Sequence, residues 1–268
     1  MNLGLENRVA LVLGAGGGLG RAIAVALARE GASVALADIS AGAVTETVAA
    51  IEALPPRASG QRPRSLSLVF DLAETAAIGP QLARIERELA PIDVLVNNTG
   101  GPPPATASGQ DVAAWQRAFE MMVISVIAVT DQVLPGMRAR RFGRVITSTS
   151  SGVIAPIPNL AFSNALRSAL LGWSKTLATE VAADGVTANV VIPGRIATAR
   201  TQFLDEQKAR RQNRSAEDIA MESANAIPLK RYGRPEEYAD AVAFLASERA
   251  SYITGSVIRV DGGLLANI

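Results

Sequence analysis

A serine and an arginine four residues apart, Ser163 and Arg167 in the stretch NLAFSNALRS (159–168), open a segment that is otherwise mostly Leu, Ala and Trp. If that segment is a helix, the spacing puts hydroxyl and guanidinium on one face. Such a pair can orient an oxygen and hold positive charge beside it, but an aliphatic hydroxyl and an Arg are both poor proton donors near neutral pH. The 268 residues contain no His and no Cys. Ser-His-Asp triads, His general bases, His-ligated zinc, disulfides and thiol chemistry are therefore excluded together. What the pair can do depends on the elements that place it.

Short apolar runs at 8–13, 33–37, 66–70, 92–96, 144–147, 188–192 and 257–260 read as strands. Most are continuous Val, Leu and Ile rather than alternating, the pattern of strands covered on both faces. Helix-like segments at 19–30, 41–54, 74–89, 111–140 and 160–183 lie between them. Seven strands with helical crossovers predict an α/β fold: a doubly wound, mostly parallel seven-stranded, Rossmann-like sheet in a single domain over 1–268. The breaker-rich 55–64 reads as a surface loop, and 100–109, with three prolines, follows a strand directly.

The first strand runs into GAGGGLG (14–20) and an amphipathic helix. Gly14, Gly18 and Gly20 allow the backbone to bend and approach a ligand closely. The helix tip beyond them offers free N–H groups to a pyrophosphate. A glycine-rich turn between a strand and a helix is a strong sign of a dinucleotide site. Asp38 ends the second strand, 18 residues beyond Gly20. A carboxylate there accepts ribose hydroxyls and repels a 2′-phosphate, and no Lys or Arg lies within 37–43 to receive one. NAD is thus favoured over NADP. Alternatively, Asp38 caps the following helix. Asp71, at the end of the third strand, is placed to reach an adenine.

From Arg8 to Gly263 the chain resembles the short-chain dehydrogenase/reductase family, most nearly its 3-oxoacyl-carrier-protein reductases. The resemblance rests on GAGGGLG, NNTG (97–100), TSTSSG (147–152), IPGRIAT (192–198), PLKRYGRPEEYADAVAFLAS and YITGSVIRVDGG. It implies a nicotinamide cofactor, a small-molecule substrate and a homotetramer or homodimer. It assigns Gly14, Gly18, Leu19 and Gly20 to the phosphate turn, Asp38 to the ribose and Asp71 to the adenine edge. Asn98 and Gly100 would flank the cofactor, Pro193, Gly194 and Ile196 would form the nicotinamide loop, and Ser150 would hydrogen-bond the substrate oxygen.

The same resemblance expects a Tyr 13 residues after Ser150 and a Lys four beyond it. This chain has Ser163 and Arg167 there, and its tyrosines, Tyr232, Tyr238 and Tyr252, lie far downstream. Where the family has an Asn, seven residues after Trp115, it has Met122. Two readings follow. In one, Ser150 and Ser163 orient the substrate, Arg167 grips the ribose and adds charge, and water supplies the proton. In the other, the protein binds the cofactor without turnover, as a sensor or partner subunit.

Charge and composition bound the rest. Lys plus Arg number 26 against 25 Asp plus Glu, which speaks against nucleic acid and membranes as partners. Apolar residues are 49% and charged ones 19% of the chain, which speaks against disorder. The N-terminal residues lack the pattern of a signal peptide, so a cytoplasmic protein is expected. By the same resemblance the polar stretch 199–225 is a lid over the substrate, and its Lys208, Arg210, Arg211 and Arg214 read first as a solvated helix face and second as an attraction for an acidic substrate or carrier. Trp115 and Trp173 read as core or interface anchors. The long helices at 111–140 and 160–183 are the faces expected to pair between subunits.

Overall fold

The computed structural model describes residues 2–56, 60 and 62–268. The loop expected at 55–64 therefore falls partly on 57–59 and 61, outside the described residues. Among the described residues seven strands form one parallel sheet: β1 (Val9–Leu13), β2 (Ser33–Asp38), β3 (Ser65–Val69), β4 (Val94–Asn97), β5 (Gly143–Ser148), β6 (Val186–Pro193) and β7 (Val257–Val260). Each expected strand is present, with ends shifted by at most two residues. The order is β3-β2-β1-β4-β5-β6-β7. After β3 the chain crosses back to pair β4 with β1, Leu11 opposite Leu95, and then builds outward in the other direction. A crevice opens where the winding reverses, at the carboxyl ends of β1 and β4.

The burial pattern explains why the runs are uninterrupted. Every residue of β1, β4 and β5 is buried, whereas the edge strands β3 and β7 are only partly covered. One face is packed by α1 (Gly18–Arg29) together with a helix at Pro235–Ala246, through Ile23, Leu27, Tyr238 and Val242. The other carries α3 (Thr75–Glu88), α5 (Ser125–Ala139) and α6 (Ala161–Val181), through Ile78, Val133, Met137 and Leu177. α2 (Ala41–Glu52) follows β2, capped by Ser40, whose hydroxyl accepts from Ala43 N–H. A fully buried Leu or Ile contributes about 1.5–3 kcal/mol, which is why both layers are aliphatic. Trp115 meets Phe162 edge-on at 4.5 Å, and Trp173 packs at the join of two core clusters.

The segment expected as one helix over 111–140 is interrupted. α4 (Val112–Phe119) passes into a π-turn at Glu120–Ile124 before α5 begins. Ser125 donates its hydroxyl to the carbonyl of Met121 at 2.6 Å, and Thr130 does the same to Val126 at 2.7 Å. Back-bonding of this kind bends helices, and single π-turns recur at functional sites. Met122 lies inside the turn, fully buried. By length and composition alone the span Val112–Ala139 could cross a membrane, but here its buried side packs on the sheet layer and α6.

α7 (Ala199–Gln212) and α8 (Ala216–Ala226) form a helical pair after β6, and α9 (Pro235–Ala246) follows. Lys208 pairs with Glu222 at 2.9 Å and Arg214 pairs with the same carboxylate, holding it near pKa 2. Of the expected solvated face, Lys208 thus bridges α7 to α8 and Arg214 ties the link between them to the same carboxylate.

The turn after β1 is set by two glycines. Gly14 has φ +60°, and a Cβ built on Gly20 would stand 1.9 Å from the Gly14 carbonyl oxygen. Nothing lies within 4 Å of a Cβ built on Gly17, whose φ of −165° any residue adopts. Gly20→Ala is expected to destabilise the protein by about 3 kcal/mol, the upper range for forced overpacking. Gly17→Ala should stay within about 0.5 kcal/mol of wild type. Urea denaturation of the two variants checks the contrast.

Candidate active site

The phosphate turn is built from its neighbours. The Ala15 N–H donates to Ala37 O at 3.1 Å, and Thr47 donates its hydroxyl to Ala15 O at 2.8 Å. Asn98 donates its side-chain amide to Leu13 O at 3.2 Å, binding the end of β1 to the end of β4. No side chain caps α1, so the first-turn N–H groups around Gly18, Leu19 and Gly20 are left for a ligand. Leu19 itself leans on the α1–α9 core.

The other expected residues stand at the carboxyl ends of neighbouring strands. Asp38 closes β2 and Asp71 follows β3, where it accepts the Ala73 N–H at 2.9 Å. Gly100 follows β4, with open space where a Cβ would be. Pro193 ends β6, and the Gly194 N–H donates to Val260 O at 2.9 Å. Ile196 is buried and bridges to Gly233. Ser150 is half-buried just beyond β5. Its hydroxyl oxygen accepts the Gly152 N–H at 3.1 Å, which leaves its own proton to donate.

The start of α6 is anchored from two sides. Ala161 N–H donates to Ala105 O at 3.1 Å and Ala105 N–H to Asn159 O at 2.8 Å, tying the loop after β4 to the helix entry. Asn164 accepts from and donates to the main chain of Ile157. Ser163 and Arg167 are consequently buried, each about 6% exposed. The Ser163 hydroxyl makes no hydrogen bond to the described residues. Arg167 donates to Ser148 O at 3.2 Å, Thr99 O at 2.9 Å and Gly100 O at 3.1 Å. Burial lowers its pKa to about 10, with the charge of Arg200 adding to the effect, so it remains a cation at neutral pH.

Sequence reasoning missed several neighbours. Tyr238 is fully buried on α9, and its hydroxyl donates to Ser148 Oγ at 2.8 Å. Ser148 lies two residues before Ser150, so this phenol is close to the site in space. Burial pushes its pKa up and closes it to solvent, so it cannot take over a phenol's acid role. Arg200, the second residue of α7, donates to Pro102 O at 2.7 Å. Asp205 is buried, pairs with Arg195 at 2.6 Å and accepts the Tyr232 hydroxyl at 2.7 Å. A cavity of about 590 Å³ between α7 and α8 is lined by Thr198, Thr201, Gln202, Asp205 and Tyr232, apart from Ser150 and Arg167. Among the described residues no acidic group meets others in a metal-binding cluster.

The crevice fits a nicotinamide dinucleotide on its own geometry. The open faces at Gly17 and Gly100 and the uncapped tip of α1 leave room and donors for it. Three buried polar atoms at the ends of β4 and β5, Asn97 Oδ1, Thr99 Oγ1 and Thr149 Oγ1, have no hydrogen-bond partner.

The profile of the enoyl-(acyl carrier protein) reductase family matches residues 14–265. The 3-oxoacyl-acyl-carrier-protein reductase FabG of Escherichia coli is 35% identical over 268 residues, covering 98% of this chain and 99% of that protein. The L-sorbose reductase of Gluconobacter frateurii, complexed with NADPH and L-sorbose, superposes with TM-score 0.91 at 30% identity and full coverage of both chains. YwfH, an NADPH-dependent reductase involved in bacilysin biosynthesis, superposes with TM-score 0.89 at 29% identity, covering 97% of this chain and 99% of its own.

The expectation of NAD is corrected by these two solved reductases, one complexed with NADPH and the other NADPH-dependent, which indicate NADP rather than NAD. The local structure offers a physical reason. Asp38 accepts the N–H groups of Gly16 at 2.9 Å and Ser40 at 3.0 Å, which partly offset its charge and weaken its repulsion of a 2′-phosphate. Nor does it cap α2, a role Ser40 takes. A search for cations over 37–43 also overlooks Arg21, whose guanidinium donates to Gly16 O at 2.9 Å while pairing with Glu46. NADPH is expected to bind more tightly than NADH by about fivefold, near 1 kcal/mol, and Arg21→Ala to shrink that ratio. Calorimetric titration with both cofactors measures it.

Proposed function

The chain belongs to the short-chain dehydrogenase/reductase family, and on that premise we propose that it acts on a carbonyl, imine or enolate-like substrate at a site rebuilt around Ser150, Ser163 and Arg167. It is an NAD(P)-dependent oxidoreductase of that family, and its chemistry is hydride transfer. The residues that would hold the dinucleotide are the 14–20 turn, Asp38, Asp71, Asn98, Gly100 and the 193–196 loop. When bound, the nicotinamide supplies or accepts the hydride.

Ser163 and Arg167 stand where the family resemblance calls for Tyr and Lys, and Met122 where it calls for Asn. The observation that carries the reading is Ser150: its oxygen is satisfied by Gly152 N–H and its proton is free for a substrate oxygen. Ser163 adds a second hydroxyl within reach of the same crevice. An aliphatic hydroxyl is far less acidic than a phenol, whose pKa is near 10, so these serines orient the substrate and water delivers the proton. In the reducing direction these hydroxyls would hold a water that gives the substrate oxygen its proton, and hydroxide leaves to solvent. Arg167 spends three of its five N–H donors on main-chain carbonyls, leaving Nε and one Nη1 hydrogen for ribose hydroxyls. Buried Met122 carries no polar group where the resemblance calls for Asn, so the proton path through that position is interrupted.

The α7–α8 pair is the lid in this reading, supported by the bond from Arg200 across to Pro102. Phe119 and Ile124, about two-fifths exposed beside the π-turn, suit burial between subunits of a homodimer or homotetramer.

Ser150→Ala is expected to lower kcat/KM by on the order of 100-fold while calorimetric NADPH binding is retained. Replacing Ser163 by Tyr and Arg167 by Lys together should raise reduction of simple ketones. If NADPH binds but no ketone, acyl thioester or imine is turned over, the protein is instead a cofactor-binding sensor or partner subunit.

A further inference from the structure

We infer that Arg200 is the substrate-recognising residue of this site and that the substrate is an anion, an oxo compound bearing a carboxylate. The inference rests on the oxidoreductase reading above for its location and extends it to substrate class.

The sheet order fixes where Arg200 acts. β5 lies between β4 and β6, so the loops that follow β4 and β6 flank the end of β5, where Ser150 stands. Arg200 starts from the β6 side and reaches Pro102 on the β4 side, crossing two strand intervals of about 5 Å each. Its Nε, Cζ and Nη2 all come within about 3 Å of a Cβ built on Gly101, so the guanidinium lies flat over that residue. It therefore roofs the mouth of the crevice above Ser150.

No described carboxylate pairs with Arg200; the Phe203 ring, its centroid 5.7 Å from the Arg200 Cζ, is a neutral neighbour that leaves the net charge in place. No described carboxylate contributes to the environment of Arg200 or of Arg167, and the two guanidiniums repel one another. Asp205, the nearby buried acid of α7, is already committed to Arg195 and Tyr232. Arg200 is also the second residue of α7, whose N-terminal dipole is positive, so the helix disfavours a cation there. Half-burial lowers its pKa further. Pro102 O satisfies one N–H but no charge. A substrate carboxylate would take the planar fork in two parallel bonds and neutralise the roof. Its carbonyl would then lie beneath, toward the Ser150 hydroxyl. The bound anion also draws α7 down, so recognition and lid closure become one event.

The test uses straight-chain oxo acids, with the ketone at varied distance from the carboxylate, each beside its methyl ester. Calorimetry on the NADP⁺-saturated full-length protein gives Kd for every acid–ester pair, and nicotinamide absorbance follows NADPH consumption in parallel. At least one acid is expected to bind about tenfold or more tightly than its ester. Arg200→Met should collapse that ratio toward one, and Arg200→Lys, which keeps charge without the fork, should retain part of it. Equal binding of every acid and ester, or a preference that survives Arg200→Met, overturns the inference. Turnover of neutral ketones without acid preference overturns it too, and leaves the oxidoreductase reading standing. Acid-selective binding without NADPH consumption upholds it and overturns the catalytic reading instead.

Discussion

A positive charge buried at the ends of two strands governs this molecule. The Arg167 guanidinium is removed from water with no carboxylate beside it, which on its own would cost several kcal/mol. It is held by three main-chain carbonyls, from Ser148, Thr99 and Gly100. Those carbonyls can converge only if β4 and β5 end side by side and α6 crosses above them. The hydrogen bonds at Ala105 and Asn164 that fix the helix entry therefore serve the same purpose. Sheet, loop and helix are locked in register by one side chain.

The same contact shapes the chemistry. A guanidinium bound to carbonyls keeps its proton and holds its position, so it supplies field and geometry rather than acid. The phenol nearest to it, on Tyr238, is sealed beneath β5 with a raised pKa. On the proposed reading, proton supply then falls to hydroxyls and water, which would suit substrates whose reduction needs little acid assistance. Arg200, with no described carboxylate paired to it, would add a second cation where the proposed anionic substrate enters.

Much of the site was legible because its logic is local. A strand that must bury both faces is continuous Val and Leu, and a backbone that must fold on itself at Gly14 and Gly20 admits no side chain. Ser163 and Arg167 were readable as a pair because four residues make about one helical turn, whereas Ser150 was singled out by the family resemblance. The π-turn was not, because Ser125 and Thr130 can point outward or bond backward, and only packing chooses. Tyr238 looked remote at 90 residues from Ser148, yet their hydroxyls are 2.8 Å apart. Asp38 pointed to NAD because the Gly16 N–H that it accepts and the approach of Arg21 come from the turn and helix after β1, remote from it in sequence.

Sequence alone determined the seven-stranded parallel architecture, the glycine-lined turn, and a hydroxyl and a guanidinium set one helical turn apart. These follow from periodicity, from steric demands at single positions, and from side-chain chemistry. Tertiary structure alone decided which carbonyls hold Arg167, which loop Arg200 reaches and what surrounds Asp38. Each is a meeting of segments far apart in the chain, and electrostatic energy depends on distance and burial, which residue order does not carry.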